Sequence, residues 1–156
     1  MVQIQVSDPS ITTGVTIKKT GYQQVMNNSL IRYTVSNVAN TSSVSLNSFY
    51  WRDTIPTDAM RLTRLVTGTY SATQNYKVTY TTNLNSNWQT AYDNLSTAQN
   101  YTLDMSASAL GLASNEYVTS FMLVFGIVPS GFHQLTDATV DGTTLYALTN
   151  GYQFTN

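Results

Sequence analysis

The residue whose type and position stand out as chemistry is Asp53. It lies in Ser45–Pro56, read S-L-N-S-F-Y-W-R-D-T-I-P, where Phe49, Trp51, Asp53 and Ile55 alternate with Tyr50, Arg52 and Thr54. An apolar face at period two marks a half-buried strand. Asp53 falls on that face, and an ionised carboxylate there is costly unless it is paired or protonated. Two more polar residues fall on apolar faces of strand-like segments near the chain ends. They are Lys19, in phase with Val15 and Ile17, and Asn156. Taken as ordinary side chains, Lys19 and Asp53 form a partly exposed ion pair at a sheet edge, and Asn156 is a frayed end.

The remaining reactive side chains build no constellation. His133 is the only histidine, so no triad and no histidine-based metal site can be placed around a second one. It follows a Pro-Ser-Gly turn and reads as a surface-loop residue. Glu116 is the only glutamate and reads as a solvated or loop-capping group. Paired-carboxylate hydrolysis needs two acids flanking one cleft, and neither Asp53 with Asp58 nor Asp93 with Asp104 has spacing that demands it. The expectation is therefore no enzyme, no metal and no cofactor. Trp51 is in phase with Phe49 and reads as core. Trp88 follows Asn-Ser-Asn in a turn, and with nearby tyrosines it offers a stacking platform for a sugar.

The elements that must position these residues are almost all strands and turns. Strands are expected over Gly14–Thr20, Leu30–Asn37, Val44–Ile55, Met60–Tyr70, Tyr76–Thr82, Trp88–Leu95, Tyr101–Met105, Glu116–Val128, Ala138–Asn150 and Tyr152–Asn156. Asn37–Ser43 reads as a polar loop, and Met60–Tyr70 with Tyr76–Thr82 as a strand pair across Ser71–Asn75. Glu116–Val128 is apolar enough to be buried on both faces. Ser106–Ser114 is the one place for a short helical turn. No repeat or linker is apparent, so residues 1–156 read as a single domain. Short strands with frequent turn signals predict an all-β sandwich of two mainly antiparallel sheets. Its expected core includes Phe49, Trp51, Phe121, Leu123 and Phe125.

Composition narrows the function. The chain has 156 residues, enough for a real core, and only 10% are charged. Thr, Ser, Asn, Gln and Tyr replace the missing charges, a balance that suits extracellular β-modules. A net charge of −1 argues against nucleic acid, which needs a basic surface, and gives no reason for membrane contact. There are no cysteines, so disulfides and thiolate metal sites are excluded. The longest apolar run, Phe121–Pro129, has the length of a strand rather than a membrane span. A signal peptide and anchor are expected outside this chain.

The N-terminal third resembles the conserved repeat domain of Gram-positive, Firmicutes cell-surface proteins, an Ig-like family related to pilin and collagen-adhesin modules. The residues that carry the resemblance are Lys19-Thr20-Gly21, Arg32-Tyr33-Thr34-Val35-Ser36-Asn37, Asn40-Thr41-Ser42 and Arg52-Asp53-Thr54-Ile55-Pro56, in that order. Gly151-Tyr152-Gln153-Phe154-Thr155-Asn156 is similar to the last-strand asparagine pattern of the family, without its usual following small residue. Asn94–Gly131 is similar to the closing region of such proteins. The resemblance implies an Ig-like β-sandwich, an extracellular cell-surface location and a non-catalytic structural or adhesive role. Expected partners are other domains of the same protein and a host or glycan ligand. Many relatives carry an intramolecular Lys–Asn isopeptide bond promoted by a buried acid. Carried over, that bond joins Lys19 to Asn156 beside Asp53, with Lys18 as the nucleophile if a bulge shifts the register. Burial would favour the reactive forms, because desolvation lowers a lysine pKa and raises an aspartate pKa. The competing expectation is a carbohydrate-binding module centred on Trp88.

Overall fold

The computed structural model describes residues 12–21, 26–145 and 152–154. Its strands are β1 (Val15–Gly21), β2 (Leu30–Asn40), β3 (Leu46–Thr54), β4 (Met60–Val66), β5 (Thr69–Tyr70), β6 (Asn75–Thr82), β7 (Gln89–Ser96), β8 (Thr102–Asp104), β9 (Val118–Val128), β10 (Gln134–Thr136) and β11 (Ala138–Thr144). One sheet runs β1-β2-β11-β4-β8 and the other β3-β9-β6-β7, with β5 and β10 forming a small ribbon. All named pairings are antiparallel. The two larger sheets share one apolar core, so the expected all-β sandwich is what the chain forms.

Period two explains the core. Ile31, Tyr33 and Val35 of β2 face Phe49 and Trp51 of β3 and Phe121, Leu123 and Phe125 of β9 through shared packing, and all are buried. Fully burying one such side chain is worth about 1.5–3 kcal/mol before entropy is counted. Phe49, Tyr70, Phe125 and Phe132 form a cluster of rings with centroids 4.8–6.0 Å apart. Trp51 Nε1 donates to the Tyr70 hydroxyl at 3.0 Å, and that hydroxyl donates to Thr67 O at 3.0 Å. The polar tips of both rings are thereby satisfied inside the core, as buried polar groups must be.

Several expected boundaries shift. β2 runs on to Asn40, because Asn37 takes a left-handed φ of 59° and forms a bulge opposite β1. The bulge flips the alternation, so Val38 and Asn40 turn inward in place of Asn37 and Ala39. Asn40 then holds the following loop, donating to Val44 O and Pro129 O and accepting from Ser42 N–H. The expected pairing of Met60–Tyr70 with Tyr76–Thr82 does not occur. β4 belongs to the five-stranded sheet and β6 to the four-stranded one, and β5 turns aside to pair with β10. β9 is buried on its core face, while Met122 and Val124 on the other face are half-buried. Ser106–Ser114 makes successive turns, with Leu110 N–H on Ser106 O, and forms no helix. Tyr152–Phe154 is irregular, and Phe154 packs against the core.

Candidate functional site

β1 is the outermost strand of the five-stranded sheet, and β3 is the outermost strand of the four-stranded one. Both edges open on the same side of the sandwich, and Lys19 and Asp53 meet across that opening. Register places Lys19 opposite Val35 and Asp53 opposite Phe121, so each points between the sheets. Lys19 Nζ lies 2.5 Å from Asp53 Oδ1. The side chains retain 21% and 10% of their accessible surface, so water screens this pair far less than a surface ion pair.

Tyr33 completes the site from β2. Its ring lies under the ammonium, with Nζ 4.7 Å from the ring centroid, a cation–π distance. Gly21 is paired with Tyr33 in the register, and a Cβ at Gly21 would run into the ring. The glycine therefore leaves room for the tyrosine to lie flat along the strand edge beneath Lys19. Burial pushes the Lys19 pKa below the ordinary lysine value, against the opposing pull of the Asp53 charge and hydrogen bond. Burial, with the Asp53 charge, raises the Tyr33 phenol. Transfer of one proton from Nζ to the carboxylate turns the pair into a neutral amine beside a neutral acid. That is the combination a lysine needs to act as a nucleophile.

Lys18 is exposed, one register position away opposite Ser36, and the contact with Asp53 is made by Lys19. Asn156 lies outside the described residues. No protein-family model, curated protein or solved structure matches this chain.

The other candidates are dispersed. Trp88 stands just before β7 with 40% of its surface exposed, while Tyr33, Tyr70, Tyr76 and Tyr80 are core residues. His133 is exposed, its Nδ1 2.8 Å from Gly131 O, and its backbone bonds to Ser71. The Glu116 carboxylate caps a loop, accepting from Ala113 N–H at 3.2 Å and the Thr82 hydroxyl at 2.6 Å. Asp58 accepts from the Tyr152 hydroxyl, Asp93 from Asn94 N–H and Asp104 from Ser106 N–H. Among the described residues, no group of three or more His, Asp or Glu is arranged to hold a metal.

One cluster escaped the sequence reading. Asp141 of the central strand β11 is fully buried on the face of its sheet away from the core. Arg32 of β2 and Arg64 of β4 stand opposite it on either side. Arg32 Nε and Nη2 donate to its two oxygens at 2.6 and 2.9 Å, and Arg64 Nε donates at 2.8 Å. Burial works to raise the Asp141 pKa, but the two guanidiniums outweigh it and hold the carboxyl below its ordinary value. This triad pins the register of three strands. The only local signal was an acid at an outward position of a strand, and that normally means a solvated one.

Proposed function

We propose that this chain is a non-catalytic, load-bearing module of an extracellular bacterial surface protein of the conserved-repeat type. In this reading Lys19 is joined to Asn156 by an amide. The observation that carries it is the half-buried Lys19–Asp53 pair, which links the outermost strands of opposite sheets where the two sheets would otherwise be prised apart. A lysine whose pKa is lowered by burial and whose ammonium is hydrogen-bonded to a carboxylate supports this reading.

The reaction balances without a cofactor. Proton transfer inside the pair gives the free Lys19 amine and the neutral Asp53 acid. The amine attacks the Asn156 side-chain carbonyl, and Asp53 donates its proton to the departing nitrogen. The Nζ–Cγ bond forms, the Cγ–Nδ2 bond breaks and ammonia leaves. The surplus proton on Nζ returns to Asp53. The product is a covalent loop closed over nearly the whole chain, which constrains the unfolded state as a long disulfide loop does. Phe154, packed on the core two residues before Asn156, supports a role for the chain end in the folded domain.

The exposed indole of Trp88 favours a second reading, a carbohydrate-binding module. Pulling the chain between two marker domains of known length tests the first. Under the proposal the wild-type chain withholds the segment between Lys19 and Asn156 from extension, and Lys19→Ala releases it. A wild-type chain that extends as far as Lys19→Ala contradicts the proposal.

A further inference from the structure

A cleft between the start of β4 and the segment from Met105 to Val118 holds a second arrangement, which does not depend on the reading above. The cleft has a volume of about 340 Å³, and its lining includes Arg61, Leu62, Met105, Glu116, Tyr117 and Val118. Leu62, Met105 and Val118 are buried and give it an apolar floor. Its volume falls in the range of small-molecule sites.

The two charged groups in it are held in place but not paired. The Arg61 guanidinium carbon lies over the Tyr117 ring, 3.9 Å from its centroid, a cation–π distance. Its Nη1 donates to Thr57 O and Met60 O. Those contacts hold the group in place and leave the Nε and Nη2 hydrogens without a hydrogen-bond partner among the described residues. That edge is the one that binds a carboxylate with two parallel hydrogen bonds. Glu116 lines the same cleft, and among the described residues it forms no ion pair with Arg61. Each of its oxygens accepts one protein hydrogen bond, from Ala113 and Thr82, so acceptor capacity remains on both.

A fixed cation and a fixed anion that share a cleft without neutralising each other suit a ligand carrying both charges. We infer that the cleft binds a small zwitterion with an apolar side chain, a free apolar α-amino acid. Its carboxylate would sit on the open edge of Arg61, its ammonium on Glu116, and its side chain on Leu62, Met105 and Val118. Glu116 makes the cleft a poor site for a multiply charged anion such as phosphate.

Amide-resolved NMR titration of the full chain tests this, with leucine, leucinol, 4-methylpentanoate and inorganic phosphate as probes. Leucinol lacks the carboxylate and 4-methylpentanoate lacks the ammonium. The expected result is saturable shifts at Leu62, Asn115 and Tyr117 with leucine, at a dissociation constant of about 1 mM or below. Leucinol, 4-methylpentanoate and phosphate should each bind at least about tenfold more weakly, since each forfeits one charge-assisted contact or adds repulsion. Arg61→Gln should weaken leucine by a similar factor and Arg61→Lys by less. Glu116→Gln should weaken leucine while leaving 4-methylpentanoate unchanged or tighter. If Arg61→Gln disturbs remote amides, the probe series on the wild-type chain decides alone. Absence of saturable shifts with leucine, or equal binding of leucinol, 4-methylpentanoate or phosphate, overturns the inference.

Discussion

Tyr92 of β7 donates its phenol proton to the main-chain oxygen of Asp104 in β8, 2.8 Å away. β7 and β8 are the last strands of the two sheets, so this bond closes one open side of the sandwich as Lys19 and Asp53 close the other. Edge strands carry unpaired backbone groups and are where sheets separate or pair with strangers. Here each side has a polar tie from one sheet to the other, and the two ties differ in kind.

That difference is measurable. In an Asn156→Ala background, where no amide to residue 156 can form, Asp53→Ala leaves the Lys19 ammonium half-buried without its carboxylate. It should cost about 1–3 kcal/mol, the usual penalty for stranding a buried polar partner. Tyr92→Phe frees only a carbonyl at an exposed site and should cost about 0.5–1.5 kcal/mol. Urea unfolding of the two variants ranks them, and a larger loss for Tyr92→Phe would reverse the assignment of the stronger tie.

The Asp141 triad predicts the acid limb of stability. A carboxyl held below its ordinary value contributes stability that is present above the unfolded pKa and lost as pH falls through the folded value. Stability should therefore drop as the pH is taken below about 4, where unfolded carboxylates protonate. Asp141→Asn should lower stability at neutral pH by about 1–3 kcal/mol, because it leaves Arg32 and Arg64 facing an uncharged group. It should also flatten the acid limb. Unfolding midpoints from pH 2 to pH 7 read both effects.

The alkaline limb belongs to the buried phenols. Burial raises the Tyr70 phenol well above the ordinary tyrosine value of about 10, so its stability contribution is whole below that pH and is lost as pH rises beyond it. Tyr70→Phe removes this loss but leaves the Trp51 indole N–H buried without its acceptor. At neutral pH the variant should be about 1–3 kcal/mol less stable. Thermal unfolding with tryptophan emission as the probe follows both the stability and the changed surroundings of Trp51.

How much of this was legible in the chain depended on the range of the signal. Phe49-Tyr50-Trp51-Arg52-Asp53 names its own inward face, and the inward positions, Asp53 included, are buried as that alternation requires. For Lys19 the phase with Val15 and Ile17 does not hold, since the register shifts between Thr16 and Lys18 and Ile17 is exposed. Lys19 turns inward through its place opposite Val35, and its neighbour across the sheets is Asp53. Asn37 was not legible, because a single left-handed residue converts an apparent loop into a bulge and lets β2 continue. The Ser71–Asn75 turn reads as a hairpin, but there the chain crosses from one sheet to the other, a choice made by the pairing of β5 with residues more than sixty positions on. Asp141 went unread because its cover comes from arginines on two other strands. The Arg61 cleft depends on how the loop from Met105 to Val118 folds back, and no local pattern encodes that.

Trp88 separates the two functional readings. Its indole makes no ring stacking or edge contact among the described residues, and it is 40% exposed. Trp88→Ala should therefore change stability by no more than about 0.5 kcal/mol, as for surface positions away from special features. On a glycan array, the load-bearing account predicts no saturable binding by the wild-type chain. Binding that Trp88→Ala abolishes would favour the carbohydrate reading instead.

The most direct test of the account is the intact mass of the purified chain, measured beside Lys19→Ala and Asp53→Ala. The account predicts that the wild-type chain is lighter than its sequence mass by one ammonia, and that digestion yields a peptide pair joined through Lys19 and Asn156. Both variants should show their full sequence masses. A wild-type chain at full sequence mass, with no joined peptide, would contradict the covalent claim and leave Lys19 and Asp53 as an ion pair between two sheets.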